Sequence, residues 1–233
     1  MALMLAILAA APAVHADRLN DKVLNRPYSD LRRWHLGFSV GINTFDYSFA
    51  HNDFVTEDGH KWFAEQPSFS PGFCVNGLFN LRLNDYFSVR VGPGIYFGNR
   101  LVRFREEVTG EEQRQDIKSA YLVLPVDLKF SAQRMRNLRP YMVGGVMPAV
   151  DVIKKNGGFL KPKSSDFFLS VGFGCDLYLP YFKLIPELKF CFGMTDALQH
   201  DRPDLVDDPA RLAVSNSMKR ATSKMVVLTF YFE

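Results

Sequence analysis

Residues 87–98 read Phe-Ser-Val-Arg-Val-Gly-Pro-Gly-Ile-Tyr-Phe-Gly, and the alternation within them decides the fold. Phe87, Val89, Val91, Pro93, Ile95 and Phe97 share one parity, and Ser88, Arg90, Gly92, Gly94, Tyr96 and Gly98 share the other. In an extended strand the two sets point to opposite faces. A soluble sandwich would press the apolar set against a second sheet and leave an arginine and several glycines to cover its outside. A membrane barrel gives the apolar set to lipid and fills its lumen with the polar set.

Seven further stretches repeat the pattern. The first, Trp34 to Tyr47, sets Trp34, Leu36, Phe38, Val40 and Ile42 outward against His35, Gly37, Ser39, Gly41 and Asn43. Beyond Thr44 the apolar phase slips onto Phe45, Tyr47 and Phe49, which predicts a bulge. The second sets Phe73, Val75, Phe79, Leu81 and Leu83 against Cys74, Asn76, Asn80 and Arg82, and Asn84-Asp85 then turns the chain tightly. The fourth, Ser119 to Phe130, has Leu122, Leu124, Val126, Leu128 and Phe130 outward and Tyr121, Val123, Pro125, Asp127 and Lys129 inward. In the fifth, Arg139 to Val150, Gly144-Gly145 and Pro148 blur the parity. The sixth opposes Phe167, Leu169, Val171, Phe173, Cys175 and Leu177 to Ser170, Gly172, Gly174, Asp176 and Tyr178. The seventh follows a turn at Pro180-Tyr181 and opposes Leu184, Pro186, Leu188, Phe190, Phe192 and Met194 to Lys183, Glu187, Lys189, Cys191 and Gly193. The eighth, Lys224 to Phe232, carries Val226, Leu228, Phe230 and Phe232 on one face.

The connections alternate in length. Links at 50–67, 101–117, 151–165 and 196–217 are long and polar, whereas those at 84–85, 131–138 and 180–181 are short. Outer-membrane barrels have short periplasmic turns and longer external loops. The expectation is an all-β fold, an eight-stranded antiparallel up-and-down transmembrane β-barrel over residues 34–233, with both termini in the periplasm of a Gram-negative bacterium.

Ahead of the strands, Met4 to Val14 is an apolar run, and Val14-His15-Ala16 has the small residues that a secretory cleavage site needs. Residues 1–16 therefore read as a signal peptide, although no Lys or Arg precedes the run, and residues 17–33 as a periplasmic segment. No internal stretch supplies the ~20 apolar residues of a spanning helix. The charged fraction of 23% and near-neutral mean hydropathy suit a barrel whose lumen dilutes the apolar signal. The 21 Phe and 9 Tyr provide a lipid face and interfacial girdles. A net charge of +3, with acids and bases interleaved, gives no basis for nucleic acid as a partner.

Eight strands enclose only enough room for side chains. Inward Arg82, Arg90, Asp127, Lys129, Asp176, Lys183, Glu187 and Lys189 must therefore pair inside a confined space, which describes a plugged, rigid barrel rather than an ion path. Parity sends Cys175 to lipid and Cys74 and Cys191 inward, as small buried hydrophobes or as a lumenal bridge.

Catalytic and cofactor motifs are sparse. His15 leaves with the signal, His51, His60 and His200 fall in external links, and His35 lies near the periplasmic start of the first strand. A loop histidine such as His200, beside Asp201, could help build a rim catalytic site, but a solvated loop residue is the favoured reading, since triads are recognised by geometry. Glu106-Glu107 with Glu111-Glu112 could hold a divalent ion or form a solvated loop. The reading is a non-enzymatic protein with no cofactor, no catalytic residues and no metal site.

Longer words then resemble a known family. GFSVGINTFDYSF (37–49), PGFCVNGLFNLRLNDYFSVRVGPGIYFGNR (71–100), YLVLPVDLKFSAQRMRNLRPYMVGGV (121–146), DLYLPYFKLIPELKFCFGMTDAL (176–198) and the final VVLTFYFE are similar to the PorT, or SprT, family. That resemblance implies a small outer-membrane barrel needed for type IX secretion, which exports proteases and adhesins and supports gliding in some relatives. It offers no catalytic residues to carry over. The implied partners are outer-membrane lipid and other type IX components, including the large translocon. Because the lumen is plugged, the expected role is accessory or assembly factor, not conduit. The alternatives are a general small barrel that binds a partner or ligand through its external loops, and a lipid-modifying enzyme at the outer rim.

Overall fold

The structure is a computed structural model that describes residues 24–51, 62–65, 70–106, 112–153, 163–197 and 218–233. The signal peptide read at 1–16, His60 and His200 lie outside these residues. After a 3₁₀ turn at Ser29–Leu31, the chain forms β1 (Trp34–His51), β2 (Trp62–Glu65), β3 (Pro71–Arg82), β4 (Phe87–Val91), β5 (Gly94–Glu106) and β6 (Glu112–Val123). It continues through β7 (Val126–Ser131), β8 (Leu138–Asp151), β9 (Ser165–Tyr178), β10 (Lys183–Gly193) and β11 (Met218–Phe232). All pairings are antiparallel.

The sheet closes because β1 pairs with β3 on one side and with β11 on the other. β4 and β5 are two parts of one wall, as are β6 and β7, so the ring has eight walls and β2 lies outside it on the end of β5. The walls are divided at Gly92-Pro93 and Leu124-Pro125, where proline has no N–H to give the ladder. Neighbouring amides span the gap: Gly77 N donates to Pro93 O at 2.8 Å, Gly92 N to Pro125 O at 3.1 Å and Leu124 N to Pro148 O at 3.1 Å. Four adjacent walls thus carry their irregularities at one level.

Burial is inverted relative to a soluble domain. Leu36 (61%), Phe73 (55%), Leu122 (52%) and Phe173 (55%) are exposed, while Arg90 and Lys129 are each 2% exposed and Glu187 is 1% exposed. A continuous apolar belt of this kind is stable only against lipid. Aromatic pairs reinforce it at the end that carries the short turns: Phe87 packs on Phe130 with centroids 5.1 Å apart, and Phe38 stacks on Phe232 at 5.2 Å.

Three sequence expectations are corrected. No bulge follows Thr44, since the β1–β11 register runs unbroken from Phe38↔Phe232 to Ala50↔Arg220 and shifts only at His51. Phe45 is inward and 2% exposed. The lumen itself turns apolar at that level, and this mimics a phase slip in the sequence. The link at 101–117 is mostly β-structure, because β5 and β6 stay paired as far as Arg105↔Glu112. The first long link likewise contains β2, paired with β5 at Trp62↔Glu106. Gly144-Gly145 leaves the fifth wall regular: β8 keeps one register with β9 from Leu138↔Leu177 to Val150↔Ser165.

Candidate functional site

The lumen is the structure's chemically distinctive region, and it is filled in two layers. The layer nearer the short turns is charged. Arg90 of β4 reaches across to Glu187 of β10, with Nη1 2.5 Å from Oε2. The same carboxylate accepts hydrogen bonds from the hydroxyls of Tyr141 at 2.6 Å and Tyr231 at 3.1 Å, and Lys189 Nζ lies 3.4 Å from it. Lys189 donates to Asp127 at 2.5 Å, and Asp127 also accepts from Ser170 Oγ at 3.2 Å. Lys129 donates to both oxygens of Asp176, at 2.6 and 2.8 Å.

Among the described residues, Arg90 Nε and Nη2 have no hydrogen-bond acceptor. The guanidinium instead lies 4.6 Å from the ring centroid of Tyr231 and 5.4 Å from that of Tyr141. Aromatic faces stabilise a desolvated cation, so these two tyrosines serve the pair through ring and hydroxyl alike. Lys129 is similarly 3.9 Å from the Tyr141 centroid.

The second layer, toward the long links, is apolar. Phe45, Cys74, Tyr96, Tyr121, Val123, Met147, Phe168, Cys191 and Met225 belong to one buried cluster, with the rings of Phe45 and Tyr121 5.3 Å apart. Gly98 makes room for it, since a Cβ there would overlap the Phe45 ring. Cys74 and Cys191 are free thiols in this layer and Cys175 is free and partly exposed, so the lumenal bridge considered from sequence is not formed.

The chain entering β1 closes the turn end. The Tyr178 hydroxyl donates to Asp30 Oδ1 at 2.5 Å, and Arg134 Nη1 donates to Asp30 Oδ2 at 3.2 Å. Asn25 donates its amide N–H to Asn137 Oδ1 and its side-chain N–H to Tyr178 O, both at 3.0 Å. Arg134 stacks 3.6 Å over the Tyr178 ring. Beneath this cap a cavity of about 30 Å³, bounded by Asp30, His35, Arg82, Lys129, Asp176 and Lys183, has room for about one water.

Seven of the eight charged residues expected in the lumen are buried there: Arg90, Asp127, Lys129, Asp176, Lys183, Glu187 and Lys189. Arg82 is the exception. Its guanidinium lies at the mouth, bonded to the Asp30 carbonyl and paired with exposed Asp85. Sequence reading missed five participants. Tyr231 lies opposite the apolar set of the eighth stretch and Tyr141 in the fifth, whose parity the sequence leaves blurred, and phenols gave no charge signal. His35 and Glu233 form a group with Lys183: Glu233 Oε1 is 2.8 Å from His35 Nδ1 and 2.5 Å from Lys183 Nζ. Burial alone would raise the Glu233 carboxyl, but His35 and Lys183 outweigh it and bring it down to about 2. Asp30 precedes the strand pattern, so nothing in the alternation marked it. Among the described residues no cluster of His, Cys, Asp or Glu is arranged to hold a metal ion.

A closed eight-walled sheet, apolar outside and ionic within, defines a small transmembrane β-barrel. The chain belongs to the outer membrane protein beta-barrel domain family, whose model matches residues 17–199. It is therefore an outer-membrane barrel protein. Solved structures similar to it include the N-terminal β-barrel domain of Pseudomonas aeruginosa OprF, with 13% identity, 83% of this chain and 97% of that chain covered, and a TM-score of 0.38. Neisserial surface protein A has 10% identity, coverage of 84% and 95%, and a TM-score of 0.41. Ail, the attachment invasion locus protein of Yersinia pestis, solved with the heparin analogue sucrose octasulfate, has 12% identity, coverage of 84% and 96%, and a TM-score of 0.39. A comparison with curated protein sequences found no match.

Proposed function

We propose that this barrel is an accessory or assembly component of type IX secretion and not the conduit. The observation that carries the second half is the doubly filled lumen: an ion-paired layer on Arg90, Glu187, Lys189 and Asp127, and an apolar layer on Phe45 and Tyr121. Eight strands leave no bore for a polypeptide once such layers occupy it. The secretion assignment is supported by the resemblance of the words at 37–49, 71–100, 121–146 and 176–198 to the PorT family. In this reading both termini and the short turns face the periplasm, the partners are outer-membrane lipid and other type IX components including the large translocon, and the protein carries out no reaction.

One observation favours a partner on the loop side. The β5–β6 pair continues to Arg105↔Glu112 and is extended by β2, so paired backbone projects past the ring where Tyr96 faces Tyr121. The deciding experiment is a gene deletion with a complemented control, measuring cargo in the medium against cargo in the periplasm. Periplasmic retention is expected. Normal export with a leaky envelope would replace the secretion role with that of a general barrel binding a partner through its loops.

A further inference from the structure

The turn end holds a second feature that the filled lumen does not use. β11 meets β1 only from Phe38↔Phe232 upward, so β11 gives Trp34 to Leu36 of β1 no strand partner on that side. At this notch lies a cavity of about 480 Å³, lined by Arg26, Arg32, Arg33, Trp34, Leu36 and the His35–Glu233 pair. That volume falls within the ~300–1,000 Å³ typical of ligand pockets.

Its chemistry has two halves. Trp34 and Leu36 are 58% and 61% exposed and belong to the lipid-facing belt. Trp at such a level marks the boundary between hydrocarbon and headgroups. Immediately before them stand two exposed arginines, Arg32 and Arg33, whose guanidinium groups make no hydrogen bond or ion pair among the described residues. Arg26 donates through Nη1 to the Glu233 carbonyl at 2.8 Å, which places a third guanidinium at the same wall. Glu233 bears the one acidic side chain in the lining, and that side chain is already matched by Lys183 and His35, so it does not cancel Arg32 and Arg33.

We propose that this notch binds the phosphate group of an anionic phospholipid, with Arg32 and Arg33 on the phosphate and Trp34 and Leu36 along the first acyl carbons. Guanidinium forks match phosphate oxygens in pairs, and arginines beside an interfacial tryptophan select lipid over a free anion because the apolar part of the ligand is held too. The site serves the barrel whether or not it acts in secretion, and it needs no assumption about which leaflet the turn end meets.

The test uses the full protein refolded in zwitterionic detergent micelles. Short-chain phosphatidylglycerol, short-chain phosphatidylcholine and inorganic phosphate are titrated in turn while tryptophan emission and native mass spectra are recorded. Phosphatidylglycerol should bind at concentrations at least about tenfold below phosphatidylcholine, and the R32Q/R33Q double variant should lose about tenfold or more of that affinity. K163Q, which removes a charge at the opposite end, should bind as wild type does. Should the double variant refold poorly, added salt applied to the wild type gives the same reading, because phosphate contact weakens as charges are screened. Equal binding of the two lipids, or affinity indifferent to both the substitutions and salt, would overturn the proposal. Binding of inorganic phosphate as tight as that of phosphatidylglycerol would overturn its lipid half and leave a free-anion site.

Discussion

Arg90 and Glu187 lie 97 positions apart in the chain and meet at 2.5 Å in the middle of the lumen, each nearly inaccessible to water. Desolvating two such charges costs about what their attraction returns, so the pair adds little net stability while penalising any state that separates it. The pair fixes how β4 sits relative to β10, across the barrel.

Breaking this pair from one side is expected to be severe. Glu187→Leu leaves Arg90, Lys189 and two phenols facing an apolar group, and the cost should be about 3–5 kcal/mol. The double variant Arg90→Met with Glu187→Leu should recover part of it. Urea unfolding in micelles, followed by tryptophan emission and by the heat-dependent gel shift of folded barrels, measures both. Additive losses in the double variant would show that the two residues are not coupled.

The apolar layer makes a separate prediction at Gly98. A methyl group there runs first into the Phe45 ring, so Gly98→Ala should cost about 1–3 kcal/mol. Phe45→Ala leaves a cavity of its own. Combined with Gly98→Ala it should nevertheless cost less than the sum of the two single changes, as a double-mutant cycle would reveal.

Acid should act through Glu233. Its carboxyl is brought down to about 2 from an ordinary value of 4.5, so its contribution is complete above about pH 4.5 and is lost as pH falls toward 2. The shift corresponds to roughly 3 kcal/mol. Lys183→Met removes one of the two groups holding the carboxyl down and should flatten the dependence of unfolding midpoint on pH over that window. A variant with the same acid limb as wild type would assign the effect elsewhere.

Conductance offers a check on the closed lumen. Purified protein in planar bilayers should give no discrete steps, and Arg90→Ala should stay silent too, because the Phe45 and Tyr121 layer above is untouched. Steady ion-selective steps from the wild type would show that the two layers part in the membrane.

Much of this architecture is local and therefore legible in the chain. A strand's side chains alternate whatever its partners are, so Phe87 to Gly98 disclosed an apolar outside and a polar inside, and seven lumen charges fell on the correct face. The same locality misled at Phe45, where an aromatic on the polar parity looked like a slip. Only the closed ring shows that the lumen changes from ionic to apolar along its axis, so that the inward set must change with it. Strand alternation also could not separate Arg82 from the other inward cations, since its departure to the mouth depends on Asp30 and Asp85.

The class of fold, the number of walls and, outside the fifth stretch and the segment after Thr44, the residues that face lipid are legible in the chain alone, because these follow from a two-residue period and the lengths of the links. Tertiary structure alone decided which charge meets which, that Tyr141 and Tyr231 complete the Arg90 site, and that Asn25 and Asp30 cap one mouth. It also decided that Glu233 folds back onto His35 and Lys183. Such pairings join positions from opposite sides of a closed sheet, and register and closure, which no short stretch of chain encodes, bring them within hydrogen-bonding distance.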